Sequence, residues 1–168
     1  MTTEDKSPRI LAGHIVAGIG VLRRIENHLE TFLEQQAPAL GRTLVAAVVV
    51  ADALSRYYTA AETVFFRIAS FFENSLEGKR WHADLLDRMA IAIPGVRPAV
   101  LTSPTQAALR ELMRFRHFSR YYVELDYDWD RLDFLLKKFR ALQGSLVEEL
   151  NRFQALVEDA DRDGRENG

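Results

Sequence analysis

The stretch of this chain best equipped for chemistry is RELMRFRHFSRYYVELDYDWDRL, from Arg110 to Leu132. With an advance of ~100° per residue, Arg110, Arg114, His117 and Tyr121 fall on a narrow arc of one helix. Arg116 and Arg120 flank that arc, while Phe115, Phe118, Tyr122 and Leu125 take the other side and are expected to face a core. Guanidinium groups present forked N–H donors that match phosphate oxygens. An imidazole with a free pKa of ~6.5 gives or accepts a proton near neutrality. Such a set suits RNA cleavage, in which a 2′-hydroxyl attacks the neighbouring phosphate. The competing reading is a solvated basic face that pairs with acids on a neighbouring helix. The residue types alone leave both open.

Few other residues compete for a chemical role. The sequence has no glycine-rich phosphate loop, no H-E-x-x-H, no G-x-S-x-G and no EF-hand loop. His14, His28 and His82 are scattered, and none has a second histidine at metal-ligand spacing, so no metal and no cofactor are expected. The absence of cysteine excludes disulfides, thiolate metal sites and thiol catalysis. Trp81-His82 is expected to pack at the start of a short helix. Glu73 and Asn74 end the helix before it, where they either line a cleft or pair and cap. Arg67, set among Phe65, Phe66 and Ile68, is expected to snorkel or to pair with Glu62 or Glu73.

The elements that must position these groups read as helices. Ser7-Pro8 starts the first, with an apolar seam through Leu11, Ile15, Leu22, Ile25, Leu29 and Phe32 and an end near Gln36, before Pro38 and Gly41. A second runs from about Arg42 to Asn74, apolar on more than one face in its first half and therefore central. A short helix from about Arg80 to Ala92 follows, and then Pro94, Gly95 and Pro98 impose a loop. Ser103-Pro104 starts the fourth helix, expected to reach about Glu124. A fifth, capped by Asp126 or Asp128, carries one continuous seam from Leu132 to Val157. No strand pattern appears. The expectation is an all-α, antiparallel bundle of about five helices. It forms one domain over residues 1–168, with its core between about 8 and 158 and a polar, frayed tail at 159–168.

Composition sets the bounds. A 168-residue chain that is 48% hydrophobic holds enough apolar material for one core. A net charge of −2 argues against a uniformly basic nucleic-acid coat but allows a local basic patch. All basic residues except Lys6, Lys79, Lys137 and Lys138 are arginines. The opening MTTEDKSPRI is not a secretory signal, and the run from Leu44 to Ala51 is far short of the ~18 residues of a membrane span. No membrane association is expected, and the cytoplasm is the expected compartment.

Two segments, RFRHFSRYYVELDYDWDRL and ETVFFRIASFFENSLEGKRWHADLLDRM from Glu62 to Met89, resemble the HepT-like ribonuclease toxins. With the helix pattern, the resemblance spans roughly residues 45 to 140. It implies an all-α homodimer that cleaves RNA without metal and is paired with a nucleotidyltransferase antitoxin, which can silence the toxin by adding AMP to a tyrosine. The active motif of that family is an arginine, four to six residues, a histidine, any residue and a tyrosine. Arg116 matches the arginine. Tyr121 stands where the histidine belongs and Val123 where the tyrosine belongs, with Tyr122 the nearest phenol. A phenol with a free pKa near ~10 is a poor base at neutral pH. The resemblance therefore implies one of two outcomes. In one, His117, a turn before Tyr121, acts as the base while Arg116 and Arg120 hold phosphate, with Arg110, Arg114 and Tyr122 as further substrate contacts. In the other, the helical dimer keeps its nucleotidyltransferase partner without ribonuclease activity.

Overall fold

The structure, a computed structural model, describes residues 7–73, 81–121 and 127–166. Pro8–Gln35 forms α1, Ala37–Leu40 the single turn α2, and Leu44–Phe72 the long helix α3. Trp81–Met89 forms α4, Ser103–Tyr121 α5, Trp129–Leu142 α6 and Ser145–Glu166 α7. No strand occurs among the described residues, and the fold is an all-α bundle.

The helix starts follow local chemistry. Pro8 occupies the first turn of α1, where its missing N–H is no loss. Thr43 caps α3 by accepting from the Ala46 N–H at 3.4 Å, and Asp128 caps α6 by accepting from the Asp130 N–H at 2.9 Å. The single fifth helix expected from the seam Leu132–Val157 is instead two helices. Gly144, at φ 83°, takes a left-handed conformation that ends α6 before α7 begins. The tail expected to fray continues as helical backbone to Glu166, and Asp161 pairs with Arg9 of α1 at 3.0 Å.

Helix α3 is the centre, touching α1, α4, α5 and α6. An 18-residue window of it has a mean hydropathy of 1.3, and half of that window is buried against its neighbours. Helix α1 runs antiparallel to it at close range: a Cβ on Gly18 would meet Val64 Cγ2 at 2.1 Å. On its other side α1 packs against α7. The core is continuous, from Leu22, Leu54, Tyr57 and Phe65 to Leu109, Phe139 and Leu150, all nearly inaccessible to solvent. The Tyr57 and Phe139 rings meet edge to face with centroids 5.0 Å apart.

The loop between α4 and α5 is clasped from inside. The Arg97 side chain is 0% exposed and pairs with Glu73 Oε1 through Nη2 at 2.6 Å and Nε at 3.1 Å. Its remaining N–H groups donate to the carbonyls of Arg88 at 2.9 Å and of Ile91 and Pro98 at 3.2 Å. Arg88 reaches the second Glu73 oxygen at 2.8 Å. Of the two roles considered for Glu73, the structure thus places it in ion pairs. Asn74 lies outside the described residues.

Candidate functional site

Helix α5 is fixed at its start by a buried carboxylate. Glu149 of α7 accepts from the Thr102 N–H at 3.1 Å, the Thr102 hydroxyl at 2.6 Å and the Thr105 hydroxyl at 2.8 Å. Two of these contacts hold Thr102, the residue before the first turn, so the register of α5 against α7 is set.

From there the charged side chains diverge. Arg110 donates to Asp87 of α4. Arg114, 60% exposed, donates to Glu111 one turn back at 2.9 Å, and Arg131 of α6 approaches the other oxygen of Glu111 at 3.4 Å. Arg116 turns inward, toward α3. Its Nη1 donates to Glu62 Oε2 at 2.7 Å, and its guanidinium lies 5.5 Å from the centroid of the Tyr58 ring. Both partners are buried. His117, next in sequence, is half-buried. Ser119 donates back to the Arg116 carbonyl at 3.0 Å and lies 3.5 Å from the Ser55 hydroxyl of α3. The backbone of Arg120 and Tyr121 belongs to α5, but their side chains, and Tyr122 entirely, lie outside the described residues. Phe115 is buried as expected. Phe118, expected in the core, is 48% exposed and lines a surface hollow with Arg114, Tyr127 and Arg131.

Sequence reasoning missed the α3 half of this arrangement. Tyr58 and Glu62 sit one turn apart on the most apolar helix, close enough for the Glu62 charge to act on the Tyr58 phenol. Burial, and then the Glu62 charge, push the Tyr58 phenol well above its usual range, with Arg116 opposing the shift. The available signal was a carboxylate at i+4 from a tyrosine inside an apolar seam, which needs a buried cation to be tolerated. Arg67 does not fill that need. It is exposed and lines a groove with α1, while Glu62 and Glu73 engage Arg116 and the Arg88–Arg97 clasp.

One nitrogen of Arg116 is committed to Glu62, and no other donor bond is made by this guanidinium. No buried side-chain nitrogen or oxygen among the described residues lacks a hydrogen-bond partner. The remaining Arg116 N–H groups therefore reach solvent. The arrangement is a guanidinium clamped by a carboxylate and set over a phenol ring. Among the described residues no three His, Asp or Glu side chains cluster as metal ligands.

Residues 49–157 match the family described as HepT-like protein. The chain belongs to this family. No curated protein and no solved structure matches it. The HepT-like span opens within α3 and closes within α7, so it contains both sides of the Arg116–Glu62 pair and excludes all of α1.

Proposed function

We propose that this HepT-like protein is a metal-independent endoribonuclease toxin, acting on RNA in the cytoplasm as a homodimer and restrained by a nucleotidyltransferase antitoxin. The observation that carries the reading is Arg116, held by Glu62 over the Tyr58 ring yet keeping uncommitted N–H donors, one residue before His117 in the chain. A donor already held in place loses little freedom when phosphate arrives, which is what stabilisation of developing charge requires. In the proposed reaction His117 takes the proton of a ribose 2′-hydroxyl. The oxygen attacks the adjacent phosphorus while Arg116, with Arg120, balances charge on the phosphate oxygens. The 5′-oxygen leaves with a proton, giving a 2′,3′-cyclic phosphate and a 5′-hydroxyl end. Arg110, Arg114 and Tyr122 are assigned to the flanking substrate.

The test is cleavage of a labelled single-stranded RNA in excess chelator by wild type, Arg116→Ala and His117→Ala. Cleavage by wild type alone supports the reading; cleavage that persists in both variants, or is absent in wild type, overturns it.

Two observations favour a second reading. Tyr121 replaces the motif histidine, and Glu62 neutralises the motif arginine. On this reading the protein is a catalytically silent dimer that docks the nucleotidyltransferase. Stable co-purification with that partner, without RNA cleavage by the isolated protein, selects it.

A further inference from the structure

The outer faces of α1 and α3 enclose a groove that the site on α5 does not use. Val21, Ile25, Val48, Val49 and Ala53 floor its wider part, of about 530 Å³. Past Val21 it continues into a second hollow of about 280 Å³, between Ala17, Gly18, Ala60 and Val64. At 1.5 Å per helical residue, the stretch from His14 to His28 along α1 is roughly 21 Å long. Around α3 the groove lies about half a turn from Tyr58 and Glu62, so it faces away from Arg116.

The rim of this apolar floor is cationic. Arg24 and Arg67 have no ion-pair partner among the described residues. Arg56 is matched by Asp52 at 2.6 Å. Three arginines against one aspartate leave the lining with two positive charges, in a chain whose net charge is −2. His14 and His28 also line it, and both are exposed.

We propose that this groove is the docking site for an acidic amphipathic α-helix of a partner protein. Two antiparallel helices present a straight furrow into which the side-chain ridge of a third helix packs. The valine and alanine floor takes apolar anchors spaced at i, i+3, i+4 and i+7, and the unpaired arginines take carboxylates on the flanks of the same helix. A second copy of this chain fits poorly, because a two-fold contact would set the same positive rim against itself. RNA fits poorly as well, since the apolar floor holds no phenyl, phenol or indole ring on which a base could stack. The inference stands apart from the RNA reading of α5, because one wall, α1, lies outside the HepT-like span.

The experiment uses the full-length ¹⁵N-labelled protein and two helix-stabilised 18-residue peptides. Each has leucines along one face, with glutamates elsewhere in one peptide and lysines in the other. The expected result is binding of the glutamate peptide at least tenfold tighter than the lysine peptide. Resonance shifts should centre on Val21, Arg24, Val49 and Arg67, and affinity should fall at least tenfold between about 50 and 500 mM salt. The double variant Arg24→Glu/Arg67→Glu, at exposed positions that leave the helical signal unchanged, should invert the preference. Equal affinities, or shifts centred elsewhere, overturn the proposal. So does a monomer–dimer equilibrium abolished by Val21→Glu, which assigns the groove to a second copy. Tighter binding of oligouridylate than of the glutamate peptide at the same resonances overturns it in favour of RNA.

Discussion

Two arginines of this protein are drawn inside against a glutamate, and they use the contact in opposite ways. Arg97 commits all five N–H donors, to Glu73 and to the carbonyls of Arg88, Ile91 and Pro98, and its side chain is 0% exposed. Arg116 commits one nitrogen, to Glu62, and its side chain is 11% exposed. The first is a closed knot that holds the α4–α5 loop against the end of α3. Nothing can bind to it without displacing the backbone. The second is held from one side only. The difference separates an arginine whose donors are all spent on the fold from one that keeps donors for the phosphate proposed above, although both are buried ion pairs of similar length.

The largest expected effect tests the closed knot. Arg97→Ala removes the guanidinium donors from the carbonyls of Arg88, Ile91 and Pro98 and leaves Glu73 with Arg88 alone. Removing one partner of a buried pair destabilises by about 3–5 kcal/mol, and urea unfolding should show a loss in that range. A loss below about 1 kcal/mol would mean that the knot is incidental, and the contrast with Arg116 would collapse.

The open pair should respond differently. Arg116→Ala removes the guanidinium that pairs with the buried Glu62 carboxylate, and about 2–3 kcal/mol of stability should be lost. RNA cleavage should fall at least a hundredfold, which is about 2.7 kcal/mol of barrier. Arg116→Lys keeps the charge but not the fork, so it should restore most of the stability and little of the cleavage. If lysine restored both, the role of Arg116 would be charge alone, and the comparison with Arg97 would lose its point.

Glu62→Gln sharpens the same comparison with a smaller perturbation. The amide oxygen still accepts from Arg116, so stability should change by about 1 kcal/mol or less. What is lost is the anion beneath the guanidinium. If Glu62 only orients Arg116, cleavage should fall about tenfold, with the change in kcat rather than KM. If instead Glu62 suppresses phosphate binding by neutralising Arg116, KM should drop and RNA should bind more tightly.

The helical class, the central place of α3 and the Arg110–Leu132 stretch could be read from residue types, because apolar spacing and caps are local signals. The break between α6 and α7 could not be read from periodicity. Leu142 and Leu146 are four apart, so the seam runs through Gly144 as if the helix were continuous. Only the left-handed backbone at Gly144 marks the stop. The candidate site was half legible for the same reason. Helical angles placed Arg116 beside an exposed arc, but which side chain turns inward depends on what α3 offers across the interface. Glu62 is 54 residues away in sequence, and no window on α5 contains it.

The smallest effect concerns Glu26, a half-buried carboxylate with a neutral partner. Glu26 of α1 accepts from the Tyr57 hydroxyl at 2.8 Å. Burial raises its pKa above the ordinary 4.5, a shift that the Tyr57 hydrogen bond and the Arg23 charge only partly oppose. A carboxyl whose pKa is raised by folding binds its proton more tightly in the folded state. Its favourable contribution is therefore complete below the unfolded value and is lost as pH rises through the folded one. At neutral pH the ionised Glu26 is a small liability, and Glu26→Gln, which keeps an acceptor for Tyr57, should stabilise by about 0.5 kcal/mol or less. Thermal unfolding of both proteins should show this gain at pH 7 and its disappearance as pH approaches 4.5. A gain that instead grew on acidification would mean that Tyr57 stabilises the carboxylate better than water does. A neutral hydroxyl would then suffice where Glu62 and Glu73 take arginines, and the graded series from closed knot to open clamp to single hydrogen bond would not hold.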